Sequence, residues 1–334
     1  MISNGLFVNL LISLGNKTNQ DEAMNKLKEI VFKLKSSLTN TYAINDLEHK
    51  VKQHVSFELM RQKMIDSVLT NREKGIIEES AEGERYVVSL TTHGERIEKV
   101  FQAIESVFLQ SRKANKVVLY LSEDEFLMKE LPITLEKQVE RGLTIKYVKD
   151  FGPYTKLIPA LHDFPDANII TVDDDQIYSF NMIDRLVRAH HTYPQAVCCN
   201  YARKIKLKDQ NHFAPYLSFE HVFNSSYSTS PTYLALGYNG VLYPAHSLHP
   251  DVTNEELFRK LSPYADDIWY KAMELLQGTP VVALPRCKSW TDMIFEDLSM
   301  QETALILINI DQGKNDDQFK AVFDHYNLYH ALTK

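Results

Sequence analysis

The sequence predicts an α/β protein whose sheet is mainly parallel and carries helices on both faces. Between residues 85 and 193, short apolar runs typical of strands alternate with amphipathic runs typical of helices. The polar clusters of this region directly follow the strand-like runs, and ligands of open α/β sheets bind at the carboxyl ends of the strands. A chain of 334 residues is long enough to bury a large core.

The composition narrows the functional class. The chain is 44% hydrophobic and 24% charged, as globular proteins are. Its net charge is −7 and no basic stretch stands out, so we expect no nucleic-acid partner. Cys198, Cys199 and Cys287 lack metal-ligand spacing, which predicts buried thiols in a reducing compartment. The apolar stretch at 6–14 is too short to span a bilayer and follows no Lys or Arg, so we expect no signal peptide.

The first 84 residues predict a separate helical region. Apolar residues recur at three- and four-residue steps through 15–75, as on one face of a helix. The polar stretch 78–85 marks a boundary. We therefore predict an N-terminal helical region (1–84), an α/β domain (85–295) and a C-terminal segment that packs on that domain (296–334). The helical region lacks clustered acids, so we expect it to have no catalytic role. We expect it to serve in docking, either to another copy of the chain or to a membrane surface.

The α/β domain begins with three predicted strands, at 85–92, 116–122 and 143–150. Predicted helices cover 97–111, 154–164 and 181–193, and Pro159 is expected to shorten or kink the second of them. A fourth strand, rich in β-branched residues, covers 169–172.

Three aspartates, Asp173, Asp174 and Asp175, follow this fourth strand. Adjacent carboxylates repel one another unless a cation lies among them, and Mg²⁺ or Mn²⁺ prefers carboxylate oxygens. Strand-like alternation would turn Asp173 and Asp175 toward one metal and Asp174 toward a sugar hydroxyl or a backbone amide. The alternative, an N-cap for the helix at 181, needs only one aspartate placed later in the chain.

Other polar residues leave more than one interpretation open. The chain has no P-loop and no G-x-G-x-x-G, so phosphates would be neutralised by the metal and by side chains such as Lys156, unless that lysine is simply exposed. Asp266 and Asp267 begin an amphipathic helix, where they would act as a base or as a cap. Trp269 is expected in the core rather than on a sugar ring. One of four loop histidines would complete the metal shell: His212, His221, His246 or His249.

Six ordered stretches together resemble bacterial nucleotide-sugar glycosyltransferases of the GT-A fold, of the kind that assemble capsular polysaccharide and lipopolysaccharide. They are "VVSLTTHGERI", "KVVLYLS", "GPYTKLIPAL", "ITVDDDQIY", "GYNGVLYP" and "YADDIWYKAM". The resemblance covers 85–295 and extends weakly to 313–318. It implies a GT-A-like (Rossmann-like) sheet and an inverting hexosyltransferase dependent on Mn²⁺ or Mg²⁺. The donor would be a nucleotide-diphosphate sugar, with a UDP-sugar favoured, and the acceptor a glycan or lipid-linked hydroxyl. Nucleotide sugars are made in the cytoplasm, so we expect a cytoplasmic protein, peripheral to the inner face of the membrane if its acceptor is lipid-linked.

The resemblance also implies roles for individual residues. Asp175 would be the principal metal ligand and Asp173 would assist it, while Asp267 would be the general base with Asp266 beside it. Gly240 belongs to a turn that would form the floor under the donor sugar. The remaining donor-binding residues would be Thr91, Thr92, Arg96, Asp150, Lys156, Asp173 and Asp174.

Two other functions remain open from the residues alone. A phosphohydrolase with an aspartate nucleophile also places D-x-D at a strand end, but it usually has a small hydroxyl residue where this chain has Ile177, and its motif follows the first strand. A non-catalytic nucleotide- or sugar-binding protein would use the acids only to hold a metal. Asp266 and Asp267 would then have no task beyond capping a helix.

Overall fold

The computed structural model describes residues 41–78, 83–285, 295–296 and 313–333, with the backbone alone at 41–54 and 295–296. The predicted helices of 15–40, the apolar stretch 6–14 and Cys287 lie outside the described residues. The contacts divide the chain into two compact units, Met1–Gln62 and Lys63–Lys334. Among the described residues, no helix is both long and apolar enough to cross a membrane.

The helices and strands are numbered in chain order. The α-helices are α1 (Thr41–Thr70), α2 (Phe101–Phe108), α3 (Glu123–Phe126), α4 (Ile133–Glu140), α5 (Ile158–Asp163), α6 (Met182–Thr192), α7 (Glu255–Leu261), α8 (Asp266–Gln277) and α9 (Lys314–Tyr326). The strands are β1 (Tyr86–Thr91), β2 (Lys116–Ser122), β3 (Leu143–Val148), β4 (Asn168–Thr171), β5 (Gln176–Ile177), β6 (Val197–Cys199), β7 (Ala202–Lys204), β8 (Leu207–Asp209), β9 (His212–Phe213), β10 (Glu220–His221), β11 (Ser228–Thr229), β12 (Tyr233–Ala235), β13 (Val241–Tyr243), β14 (Val281–Ala283) and β15 (Phe295–Glu296). Short 3₁₀ helices occupy Gly94–Glu98, Gly152–Lys156, Tyr216–Ser218, Gly237–Asn239, Pro250–Thr253 and Tyr329–Thr333.

The central sheet has eight described strands in the order β11-β14-β6-β13-β4-β1-β2-β3. β1 runs parallel to β2 and to β4, β2 runs parallel to β3, and β6 runs parallel to β14. In the described part of this sheet, the antiparallel pairs are those of β13 with β4 and β6 and of β11 with β14. The apolar runs of β1, β2 and β4 are buried almost throughout, as parallel strands covered on both faces must be. The prediction of an α/β protein with a mainly parallel sheet is confirmed.

Two connections differ from the sequence prediction. The residues between β2 and β3 include α4, a helix that was not predicted because it buries only Leu135 and Gln138 and so has a weak apolar stripe. The parallel β2–β3 pair requires such a crossover. The predicted helix at 154–164 is divided into the 3₁₀ helix Gly152–Lys156 and α5. Pro159 lies in the first turn of α5, where its missing N–H costs no helical hydrogen bond.

Residues that precede the predicted boundary at 78–85 also contact the α/β structure. The Ser67 hydroxyl donates to Glu105 at 2.6 Å, and Arg141 Nη1 pairs with the same carboxylate at 2.8 Å. Arg141 Nε also donates to the Glu73 carbonyl at 2.9 Å. Arg141 and Glu105 are fully enclosed, so each requires the other's charge. Residues 67–73 are therefore hydrogen-bonded to the α/β structure rather than separate from it.

An aromatic core lies beside the sheet. The Tyr154 ring stacks on Phe258 with 4.1 Å between ring centroids. Trp269 is fully buried, and its Nε1 donates to the Val252 carbonyl at 3.1 Å, so the prediction of a core tryptophan is confirmed. Helix α9 buries Phe319 and Phe323 in the same core. Cys198 and Cys199 are free, buried thiols, as predicted.

One ion pair of this core joins two residues of α8. Lys271 Nζ is 3.3 Å from Glu274 Oε2 on α8, and both side chains are buried. Burial raises the pKa of Glu274 to about 7, although the Lys271 charge opposes the shift. Burial likewise lowers the pKa of Lys271.

Glu274→Gln should change how stability depends on pH. The pKa of Glu274 is about 7 in the folded protein and near 4.5 in the unfolded chain. Between these two pH values, Glu274 is protonated in the folded protein and ionised in the unfolded chain. The free energy of unfolding therefore falls as pH rises from about 4.5 to about 7, by on the order of 3 kcal/mol for this group. Urea unfolding at pH 5 to 8 should show that Glu274→Gln removes this part of the fall. Glu256→Gln, at an exposed position, is the control, and parallel curves for the wild type and Glu274→Gln would contradict the assignment.

Candidate active site

A cleft of about 600 Å³ opens at the carboxyl ends of β1 and β4. The order of the strands reverses here, because β2 and β3 continue from one side of β1 while β4 pairs with its other side. Open α/β sheets bind ligands at this kind of position. The cleft is lined by Thr91, Thr92, His93, Arg96, Ser122, Glu125, Asp150, Gly152, Pro153, Thr155, Lys156, Val172, Asp173, Asp174, Asp175, Gln176, Tyr201, Arg203, Tyr216, His221, Leu234, Leu236, Tyr238, Tyr264, Ala265, Asp266, Asp267, Ile268 and Asn315.

The cleft brings together all the catalytic, donor-binding and metal-binding residues that the resemblance implied, except one. Gly240 is not part of its lining. It has a φ of 88° and packs against α6, where an added Cβ would lie 3.0 Å from the Met182 sulfur. Its glycine is therefore explained by backbone conformation and close packing.

Arg96 is the cation beside the second and third aspartates. Its Nη2 is 2.7 Å from Asp174 Oδ1 and 2.9 Å from Asp175 Oδ2. The Thr92 hydroxyl donates to the other Asp174 oxygen at 2.6 Å. The predicted alternation, with Asp174 facing away from Asp175, is wrong. Strand β4 ends at Thr171, so the aspartates lie in a turn and do not follow the two-residue period of a strand.

The positive charge of Arg96 does not fully offset the effect of burial on the two carboxyl groups that it contacts. Burial, together with the charges of Asp173 and Asp174, raises the pKa of Asp175 to about 7 in spite of Arg96. Burial also raises the pKa of Asp174, against the effects of Arg96 and Thr92. A further cation beside the turn would therefore favour the ionised forms of these carboxyl groups.

Lys156 connects the two acidic clusters of the sequence. Its Nζ is 2.9 Å from Asp173 Oδ1 and 3.1 Å from Asp266 Oδ2. The Ser89 hydroxyl on β1 donates to the Lys156 carbonyl at 2.6 Å and so fixes its backbone. Burial alone would lower the pKa of Lys156, but the surrounding aspartates hold it well above its ordinary value. Lys156 is thus a buried, charged lysine, and the alternative of a simply exposed side chain is wrong.

Asp266 and Asp267 do not cap α8. The N-cap is Ala265, which makes no side-chain capping hydrogen bond. Asp267 Oδ1 instead accepts a hydrogen bond from the Gly237 N–H at 3.1 Å. Burial raises the pKa of both carboxyl groups, and the charge of Asp266 adds to the shift at Asp267. At Gly237 an added Cβ would lie 2.7 Å from the Lys156 ammonium, which is held between carboxylates, so glycine is needed there.

One wall of the cleft was not predicted from the sequence. It is formed by Tyr201, Arg203, Tyr216, His221, Tyr238, Tyr264 and Asn315. These residues come from β7, β10, α9 and the loops between them, which have no common spacing in the sequence. His221 was one of the four loop histidines, and Tyr238, Tyr264 and Asn315 lie in the stretches that carry the resemblance but had no role assigned to them. The other three histidines do not line the cleft and bond elsewhere: His212 to Asp209, His246 to Asp166 and His249 to the Asp251 N–H.

The chemistry of the cleft fits a divalent cation. Among the described residues, no group of three or more His, Cys, Asp or Glu side chains is placed to hold a metal ion. Magnesium commonly binds through one or two carboxylates and completes its shell with water and substrate phosphates. Asp173 and Asp175 are the carboxylates that would serve as such a pair. The described lining contains seven carboxylates but only three Lys or Arg side chains, so an anionic ligand needs an additional cation.

Comparisons with known proteins give structural neighbours only. No protein-family profile and no curated protein matches the sequence. The UTP-bound UGPase from Acinetobacter baumannii is 10% identical, with a TM-score of 0.38 over 73% of this chain and 99% of its own. TarS from S. aureus, solved with UDP, is 14% identical, with a TM-score of 0.40 over 73% and 72% of the two chains. The UDP-glucose pyrophosphorylase from A. baumannii is 12% identical, with a TM-score of 0.37 over 74% and 94%. These scores are too low to assign a function to this chain.

Lys156→Met should destabilise the protein strongly. It removes the ammonium shared by Asp173 and Asp266 and leaves their carboxylates buried without it, a change that typically costs about 3–5 kcal/mol. The loss should be larger at pH 8 than at pH 5, because protonation relieves the unpaired carboxylates at low pH. Urea unfolding at both pH values measures it.

Lys149→Met is the matched control for Lys156→Met. Lys149 also forms a 2.8 Å ion pair, with Glu255, but its side chain is 64% exposed. Its removal should cost less than about 1 kcal/mol. Similar losses for the two variants would show that Lys156 is not the link between the acidic clusters.

Proposed function

We propose that this protein is a metal-dependent glycosyltransferase that moves a sugar from a nucleotide-diphosphate donor to an acceptor hydroxyl with inversion. The observation that carries the proposal is the arrangement of the acids. The turn after β4 and the start of α8 each present aspartates to one cleft at the switch point of the sheet, and Lys156 joins them. A carboxylate pair for a metal and a separate carboxylate for a base are the two requirements of this reaction.

The donor would bind on the β4 side of the cleft. Thr91, Thr92 and Asp150 line it beside Arg96 and would contact the nucleoside. Mn²⁺ or Mg²⁺ on Asp173 and Asp175 would supply charge stabilisation to the departing diphosphate. The negative excess of the cleft supports this assignment, because a diphosphate would otherwise be repelled.

Asp267 is the proposed general base. One of its oxygens accepts the Gly237 N–H, which orients the carboxylate, and its side chain is partly exposed while that of Asp266 is buried. The raised pKa makes the ionised carboxylate a stronger proton acceptor. As the O–H bond of the acceptor breaks, Asp267 takes the proton. The oxygen then forms the bond to the anomeric carbon, and the nucleoside diphosphate leaves with the electrons of the broken C–O bond.

The finer assignments rest on the sequence resemblance. A UDP-sugar is the favoured donor, and a capsular or lipopolysaccharide glycan or its lipid-linked precursor is the favoured acceptor. The domain boundaries, the cytoplasmic location and the docking role of 1–84 stay predictions. The proposal differs from an aspartate-nucleophile phosphohydrolase in requiring a sugar acceptor.

Asp175→Asn should abolish metal-dependent donor binding. Calorimetry with UDP in the presence of Mn²⁺ should give binding for the wild type, no comparable binding in excess chelator, and no metal effect for Asp175→Asn. The reason is the loss of the charged ligand beside Asp173. Asp209→Asn, at an exposed position, is the control and should bind as the wild type does. Undiminished UDP binding and transfer in chelator would refute the metal assignment.

Asp267→Asn should lower the transfer rate by roughly 10²- to 10⁴-fold, as the loss of a general base does. UDP affinity should change little, because the base contacts the acceptor. Asp266→Asn removes a charge from Lys156 and should lower stability while retaining more activity. Transfer assays and UDP calorimetry on both variants provide the test.

The reverse outcome, with Asp266→Asn the slower enzyme, would make Asp266 the base. Near-normal transfer by both variants would remove the inverting mechanism from this acidic pair.

A further inference from the structure

The unpredicted wall of the cleft contains Arg203, whose positive charge is not neutralised by any carboxylate among the described residues. Three Lys or Arg side chains line the cleft. Arg96 and Lys156 each pair with two aspartates, whereas Arg203 has no carboxylate partner among the described residues. In a cleft with an excess of carboxylates, this is the place where an anionic ligand would be least repelled.

The surroundings hold Arg203 in place without neutralising it. Its guanidinium lies over the Tyr216 ring, 4.9 Å from the centroid, and Nη1 donates to the Tyr216 carbonyl at 3.5 Å. Its Nε is buried and has no hydrogen-bond partner among the described residues. Burial and the Arg203 charge both lower the pKa of the neighbouring His221, in keeping with an uncompensated positive charge here.

Arg203 lies on the side of the proposed base. The pKa of Tyr216 is raised to about 12 by burial, with the Arg203 charge opposing the shift and the Asp267 charge adding to it. The strand pairing places the two groups on neighbouring segments: Arg203 on β7 pairs with Leu234 on β12, and the Gly237 N–H that follows β12 donates to Asp267. Asn315, 7% exposed, lines the same cleft with a buried side-chain oxygen that has no partner in the described structure. A guanidinium and a free amide oxygen together suit a ligand with both anionic oxygens and hydroxyl donors.

We propose that Arg203 binds an anionic oxygen group of the acceptor, a carboxylate or a phosphate, close to the hydroxyl that Asp267 deprotonates. This inference rests on the proposed function and specifies its acceptor class: an acidic sugar or a phosphate-bearing chain. Arg203 is a specificity residue here. The planar guanidinium can donate two parallel hydrogen bonds to such a group, which a neutral sugar cannot receive with the same strength.

The test uses the full-length protein with Mg²⁺ and UDP. Ligand-observed NMR titrations would compare methyl β-D-glucuronide with methyl β-D-glucoside, and glycerol 3-phosphate with glycerol. We expect one anionic probe to bind at least about tenfold more tightly than its neutral partner, the factor expected for one charged hydrogen bond. The glucuronide would assign a carboxylate, and glycerol 3-phosphate would assign a phosphate.

Arg203→Met should abolish this preference, and Arg203→Lys should retain only part of it, because it keeps the charge without the paired donors. Lys204→Met, on the exposed neighbouring position of β7, should change nothing. Equal binding of the anionic and neutral probes by the wild type would overturn the proposal. A loss of UDP affinity in Arg203→Met would also overturn it, by placing Arg203 at the donor diphosphate. Absence of UDP binding in the wild type would instead contradict the proposed function itself.

Discussion

The buried ammonium of Lys156 is the interaction on which the candidate site depends. It pairs with Asp173 from the turn after β4 and with Asp266 from the start of α8, which lie 93 positions apart in the chain. Without this cation, burial would favour protonation of these carboxyl groups or their separation. With it, the two acidic clusters share one cleft, and Asp173, a proposed metal ligand, is linked to Asp266, the residue next to the proposed base.

The same ion pairs explain several neighbouring residues. Gly237 lacks a side chain because a Cβ would contact the ammonium, and its N–H holds Asp267. Ser89 on β1 fixes the backbone of Lys156 through a hydroxyl that is completely buried. The charge of Lys156 thus constrains residues in a strand, a 3₁₀ helix and a loop. This requirement explains why a small set of polar residues lies inside an otherwise apolar core.

The cleft is divided by charge into two regions. Arg96 and Lys156 are engaged by aspartates, so the part near β4 keeps an excess of negative charge and suits a metal-bound diphosphate. Arg203 has no such partner among the described residues, and it lies in a wall of tyrosines. A donor and an acceptor would therefore meet different electrostatic environments. This separation would help to bind each substrate in its own place.

The sequence alone determined the α/β class and most of the candidate site. The buried strands are continuous apolar runs, and polar residues follow each run at its carboxyl end. Because parallel strands place these ends at one edge of the sheet, the sequence was enough to predict that Thr92, Asp150 and Asp173 share that edge. Tertiary structure decided the partners. Whether Asp174 faces Arg96, whether Asp266 caps a helix or binds Lys156, and whether Arg203 reaches the cleft depend on contacts between residues far apart in the chain. Such contacts have no period in the sequence, and burial in the folded protein sets the charge state of each group.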